Sequence, residues 1–216
     1  MSSVAVIDYG MGNLHSVSKA LEKVGDGVDI KVTADAKTIL SADRVVLPGV
    51  GAMRDCMGEI IRLGLDKVIH QFVESGKPLF GVCVGMQALL ESSAENEGVT
   101  CLGILPGKVE YFGDDLRDLK TGDKLKIPHM GWNQVHQEIE HPMWKGIAQD
   151  ARFYFVHSFY SQPGNPELIA ASTNYGFSFT SAVSKDNVFA VQFHPEKSQH
   201  SGLALYANFL KWNGKP

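Results

Sequence analysis

Pro78-Leu79-Phe80-Gly81-Val82-Cys83-Val84-Gly85-Met86-Gln87 is the stretch whose reading decides the fold. A short apolar run, Pro78 to Val82, reads as a buried strand, and Met86 to Glu91 opens a helix. Between them Gly81 and Gly85 stand two residues either side of Cys83. That is the form of a nucleophile elbow, a sharp strand-to-helix turn that lifts one side chain above the sheet edge, with cysteine in the nucleophile's place. The following helix turns its amides and positive dipole end toward the sulfur. The Val84 amide is then one donor to a developing oxyanion. The plainer reading of Cys83 is a small buried residue after a core strand, and this is the reading given to Cys56 and Cys101.

Outward from the elbow, the first half alternates strand and helix. Val4–Ile7 is a short apolar, β-branched run suited to a buried parallel strand, and Val28–Val32 and Arg44–Leu47 read as the second and third strands. Helical spacing follows at Leu14, Val17, Leu21 and Val24, with Gly25 as a stop, then at Asp35–Leu40, Ala52–Arg62 and Asp66–Glu74. Such alternation predicts an α/β fold, an open and mostly parallel sheet with helices on both faces. The second half has another texture. Val109–Phe112, Trp132–Val135, Phe153–Val156 and Val188–Phe193 read as strands separated by turn-rich segments, which predicts antiparallel strands added to the same sheet. Ser201–Trp212 closes the chain as an amphipathic helix. No repeat or linker divides residues 1–216, so one domain is expected.

Two further places carry chemistry. In Gln192-Phe193-His194-Pro195-Glu196 the proline keeps His194 extended, so Glu196 lies on the same side two residues on. Glu196 can then bond one ring nitrogen and leave the other for a thiol. The alternative is a turn with an exposed His and Glu. Pro48-Gly49-Val50-Gly51 follows the third strand, and a peptide N–H from it could supply a second oxyanion donor. An ordinary βα turn is its alternative.

Composition limits the rest. The 216 residues are 44% apolar with a net charge of −4, which speaks against a basic nucleic-acid surface. The start lacks a signal-peptide pattern, and Leu79–Leu90 is too short to span a bilayer. Three scattered cysteines form no CxxC pair, so no disulfide framework is expected and the cytoplasm fits. Gly10-Met11-Gly12 looks like a dinucleotide fingerprint, but position 15 is His15, not glycine. No HExxH or tight His/Cys cluster suggests a metal. His70, His136 and His141 read as surface or partly buried polar residues.

With these places in view, the chain resembles the class I, triad-type glutamine amidotransferases. Within them it resembles the branch that serves imidazole glycerol phosphate synthase as glutaminase subunit. The resemblance runs nearly end to end: Ile7–Leu14, Leu47–Ala52, Gly81–Gln87, Pro128–Asn133, Phe155–Tyr160 and Gln192–Ser198. It implies a flavodoxin-like sheet and no cofactor or metal. It implies that Cys83 attacks the side-chain amide of L-glutamine, with His194 as acid and base and Glu196 as its orienter. Val84 and one amide of Gly49-Val50-Gly51 would form the oxyanion hole. In the family that loop is held to keep its peptide turned away until the partner is ligated. Gln87, with the backbone of His157, Ser158 and Phe159, would hold the substrate.

The whole length is used by this fold, so ammonia would pass to another polypeptide. For this branch that is a cyclase with a (β/α)₈ barrel, which forms imidazole glycerol phosphate and an aminoimidazole carboxamide ribotide in histidine biosynthesis. Met11, Asn13, Met130, Trp132, Lys197 and Ser198 would face that partner, a core position being the alternative for Trp132. Three readings stay beside this one. They are a paralogous glutaminase feeding sugar amination, a partner-independent cysteine hydrolase, and a binding subunit with a decayed site.

Overall fold

The computed structural model describes residues 2–216. Its first half follows the apolar runs. Strands β1 (Ser3–Ile7), β2 (Asp29–Thr33), β3 (Arg44–Gly49) and β4 (Leu79–Cys83) are joined by α1 (Leu14–Val24), α2 (Ala36–Ser41), α3 (Met53–Arg62) and α4 (Leu65–Glu74). They line up in the order β2-β1-β3-β4, all parallel. β4 and nearly all of β3 are buried, as expected where helices cover both faces.

After β4 the chain enters α5 (Val84–Ala88). This helix stops three residues before the predicted end at Glu91. Short strands β5 (Ser92–Ser93) and β6 (Val99–Thr100) follow, then β7 (Gly107–Tyr111), β8 (His129–Gln134), β9 (His136–Gln137) and β10 (Arg152–His157). β11 (Phe159–Pro163), β12 (Ile169–Tyr175), β13 (Phe177–Lys185) and β14 (Val188–Val191) complete the strands, and α6 (Gln199–Lys211) packs last.

Two expectations for this half are corrected. β8 and β10 do not join the main sheet; they pair with each other as a separate antiparallel ribbon. β14 is not an added antiparallel strand but extends the parallel set beside β4. Its other edge takes β13 antiparallel, and the sheet continues through β11 and β7. β11, β12 and β13 carry no plain strand pattern in the sequence, because Ser161, Ser172, Thr173, Asn174, Ser178, Thr180, Ser181 and Ser184 hide their alternation. In β13 several of these polar residues are buried.

Phe80, Phe189, Tyr206 and Phe209 pack between the parallel strands and α6. Phe112, Phe155 and Phe179 gather around His129 and His157 on the antiparallel side. Cys83 ends β4 and His194 lies three residues past the end of β14, so the parallel pairing of these two strands brings the two side chains to one sheet edge. Ligands bind at that edge in open α/β sheets. Among the described residues no helix is long and apolar enough to cross a membrane.

Candidate active site

Cys83 sits at φ 55°, ψ −114°, a setting disfavoured for a residue with a Cβ. Such strain persists only where the surroundings over-determine it. Here the neighbours do. A Cβ on Gly85 would collide with the Leu47 carbonyl oxygen, and one on Gly81 would come to 2.8 Å from the Ala190 Cβ. Helix α5 must pass this close to β3, and the glycines permit it. The sulfur is thereby presented to a cavity of about 650 Å³.

His194 reaches the same cavity from the end of β14. Its backbone is clamped: its N–H donates to Tyr154 O at 2.9 Å, and its carbonyl accepts from Ser198 Oγ at 2.6 Å. His194 Nδ1 bonds Glu196 Oε1 at 2.8 Å, with both side chains buried. Asn13 Nδ2 donates to the same carboxylate oxygen at 3.2 Å. Burial opposes charge on His194, but the sulfur of Cys83 and the Glu196 carboxylate outweigh it and hold the imidazole pKa up at about 10. Burial likewise works against the Glu196 charge, and the His194 contact overrides it and holds the carboxyl below its ordinary range. Nε2 of His194 has no protein partner within hydrogen-bond limits and is left for Cys83 and its substrate.

Beside the elbow, from the paired end of β3, runs Gly49-Val50-Gly51. Tyr9 Oη donates to Pro48 O at 2.7 Å and anchors its start. Cys56 Sγ donates to Val50 O at 3.4 Å. The Val50 N–H donates to Met11 O at 3.2 Å. That donor is therefore engaged. Gly51 has φ +95°, and a Cβ there would meet the Met11 methyl at 2.9 Å.

Val50, Gly51, Val84, Gln87, His157, Ser158 and Phe159 all line the cavity, as do Asn13 and Lys197. Gly49 lies behind it, packed on Tyr9 Oη and the Gly85 amide. The Phe159 carbonyl is spent on Gln87 Nε2 and His157 Nδ1, at 3.0 and 2.8 Å, so it has no free face for a substrate. His157 is buried and bonds His129 at 2.9 Å. Desolvation drives their pKa values down to about 3 and about 4, which keeps both neutral.

The residues expected at a partner face divide. In β8, Met130 and Trp132 point outward, and Trp132 packs against Tyr154 with Lys197 Nζ 5.8 Å from the Tyr154 ring. Trp132 is thus not a core residue. Ser198 is 1% exposed, and its hydroxyl is used by Tyr154 N and His194 O. It presents no face to a partner and serves instead to hold His194. Met11 and Asn13 are half-buried and already bonded to Val50 and Glu196. His141, expected at the surface or partly buried, is buried and accepts from Met143 N through Nδ1.

Sequence reasoning missed two polar residues. Glu95 is a carboxylate lining the cavity, and its Oε2 accepts from Met53 N at 2.9 Å. It lies in a turn-rich stretch with no periodic signal. Gln192 is fully buried with its Nε2 3.8 Å from Cys83 Sγ. Its only signal was its place two residues before His194. Among the described residues no group of acidic, His and Cys side chains is placed to hold a metal.

Residues 5–212 match the family model of class-I glutamine amidotransferases. The chain belongs to that family. Curated relatives of this amidotransferase are similar over their full length. It is 57% identical over 215 residues to subunit HisH 1 of imidazole glycerol phosphate synthase from Pseudomonas aeruginosa, covering 100% of this chain and 99% of that one. It is 60% identical over 214 residues to subunit HisH of the same synthase from Nitrosococcus oceani, covering 99% of each. Among solved structures, a glutamine amidotransferase matches with TM-score 0.71 at 20% identity over 96% of this chain and 97% of that one. PurLQS from Thermotoga maritima matches with TM-score 0.71 at 17% identity over 97% and 98%. These two share the fold.

Proposed function

We propose that this amidotransferase is the glutaminase subunit of an imidazole glycerol phosphate synthase, acting in histidine biosynthesis. The observation that carries the reading is the meeting of the strained Cys83 elbow with the buried His194–Glu196 pair in one cavity, in a chain so similar to that synthase's subunits. The Cys83 thiolate attacks the side-chain amide carbon of glutamine. The imidazolium of His194 gives its proton to the amide nitrogen, and ammonia leaves as the tetrahedral adduct collapses to a thioester. His194, now neutral, takes a proton from water. The hydroxide attacks the thioester, the thiolate departs, and glutamate is released. Val84 N–H meets the oxyanion in both halves. Val50 N–H becomes the second donor once it leaves Met11 O. Glu95 supplies the negative charge for the α-ammonium group.

Residues 1–216 act as one amidotransferase domain in the cytoplasm, with Met130, Trp132, Tyr154 and Lys197 on the face that meets the partner. That partner is the (β/α)₈ cyclase, which joins the ammonia to a ribulose-bearing nucleotide. The exposed Met130, 61% accessible beside Trp132, supports an apolar docking face.

Ammonia release from glutamine tests this, for the purified chain alone and with the cyclase and its nucleotide ligand. The expected result is a low basal rate that rises strongly with the liganded partner, and a fall of at least about a thousandfold in Cys83→Ala. High partner-independent turnover would mean an autonomous amidase. Activation only by an enzyme of sugar amination would place the chain in that pathway instead.

A further inference from the structure

Both hydrogens of one buried amide are spent in a way that fixes a second amide against the nucleophile. Gln87 Nε2 donates to Phe159 O at 3.0 Å and to Gln192 Oε1 at 2.9 Å. The Phe159 oxygen is a backbone carbonyl and can only accept, so the nitrogen of Gln87 must face it. The other hydrogen on that nitrogen needs an acceptor, so Gln192 must present its oxygen to Gln87. The nitrogen of Gln192 then points the other way, 3.8 Å from Cys83 Sγ. Turning Gln192 over would set N–H against N–H and place a carbonyl oxygen against the sulfur. Gln192 is 0% exposed, so solvent cannot compensate such a mismatch.

The same carbonyl is held from its other side. Asn133 Nδ2 donates to His129 Nε2 at 3.2 Å, which makes His129 Nδ1 the donor to His157 Nε2. His157 Nδ1 then donates to Phe159 O at 2.8 Å. Every member of the chain has one permitted direction, and all of them end on that oxygen.

We propose that Gln192 belongs to the catalytic machinery: its side-chain N–H donates to the Cys83 sulfur, and Gln87 is the positioning residue that holds that amide the right way round. The inference rests on Cys83 being the nucleophile. An N–H donor favours thiolate over thiol, because the thiolate accepts the stronger, charge-assisted bond. An amide cannot itself take the proton, so it does not compete with His194. Gln87 is left with its oxygen free, and it can meet glutamine only as an acceptor.

The test is the pH dependence of Cys83 alkylation by iodoacetamide in the full chain, with peptide mapping to separate Cys83 from Cys56 and Cys101. Gln192→Leu is expected to raise the midpoint of the alkylation profile by about one pH unit, the scale of one lost hydrogen bond to a charged group. Gln192→Glu is expected to raise it at least as far, since its carboxylate repels the thiolate. A midpoint unchanged in both folded variants overturns the proposal. If circular dichroism finds both unfolded, Gln87→Leu decides: a smaller rise supports the proposal and no rise overturns it. Ammonia release by Cys83→Ala separates the two readings. If that variant is inactive and the midpoint does not move, only the role of Gln192 fails. If it remains active, the nucleophile assignment fails as well.

Discussion

The two walls of the cavity are built on opposite terms. The Cys83 wall is over-determined: a strained residue is held between glycines that have no room for a Cβ, next to a clamped His194. The Gly49-Val50-Gly51 wall has its donor engaged elsewhere, on Met11 O. One side holds its cysteine fixed in the isolated chain, and the other has its N–H turned away from the cavity. Turning that N–H toward the cavity gives up one hydrogen bond, about 1 kcal/mol, in addition to the backbone rotation itself. Under the proposed function, a partner that releases the Val50 N–H would complete the oxyanion hole while the elbow stays in place.

Gly85→Ala breaks the fixed wall. The new Cβ would fall on the Leu47 carbonyl oxygen, a backbone atom inside β3 that cannot step aside. A loss of about 3 kcal/mol or more in unfolding free energy is expected, the scale of overpacking in a tight core. Chemical denaturation measures it. A variant with wild-type stability would mean that the elbow tolerates movement and that the contrast between the walls is false.

Glu196→Gln probes the fixed side more gently. His194 is held at about 10 against its own burial by the Cys83 sulfur and by Glu196. A raised imidazole pKa keeps the imidazolium present below it and loses it as pH rises through it. Removing the carboxylate charge lowers that pKa, so the alkaline fall of glutaminase activity moves to lower pH. Turnover near neutrality is expected to drop by about a hundredfold, within the usual range for an acid–base group. A pH–rate profile of the partner-activated enzyme checks both. An alkaline limb that stays in place would remove Glu196 from the charge balance.

The same contrast explains what the sequence could reveal. The elbow and the His194–Glu196 pair are local patterns, a few residues whose chemistry follows from their spacing. Apart from the edge strand β2, the parallel strands are apolar on both faces, and α1 was legible to the residue because Leu14, Val17, Leu21 and Val24 sit on one helical face. The antiparallel flank was not legible. β12 and β13 bury Thr173, Thr180 and Ser181, whose burial is decided by neighbours far along the chain. The ribbon of β8 and β10 looks like any pair of strands until its partners are known. Gln192 reads as a polar residue in a strand, and only Gln87 and Phe159, more than thirty residues upstream, give its amide a direction.

The movable wall offers the smallest and most specific test. The Val50 N–H donates to Met11 O at 3.2 Å, a single bond on a half-buried residue at the cavity edge. In the isolated chain its amide hydrogen is expected to exchange about fivefold more slowly than an unbonded amide at similar exposure, since a bond worth about 1 kcal/mol gives that order of protection. Adding the liganded partner is expected to shift the Val50 resonance, because its N–H then turns toward the cavity. The Val84 amide, fixed at the start of α5, should keep its environment until substrate arrives. Amide-resolved hydrogen exchange by nuclear magnetic resonance distinguishes the two donors directly. If Val50 is unprotected in the free chain, the wall is not latched and the low basal rate must come from elsewhere. If Val84 changes as much as Val50, the elbow is part of the switch and the two walls are not opposites.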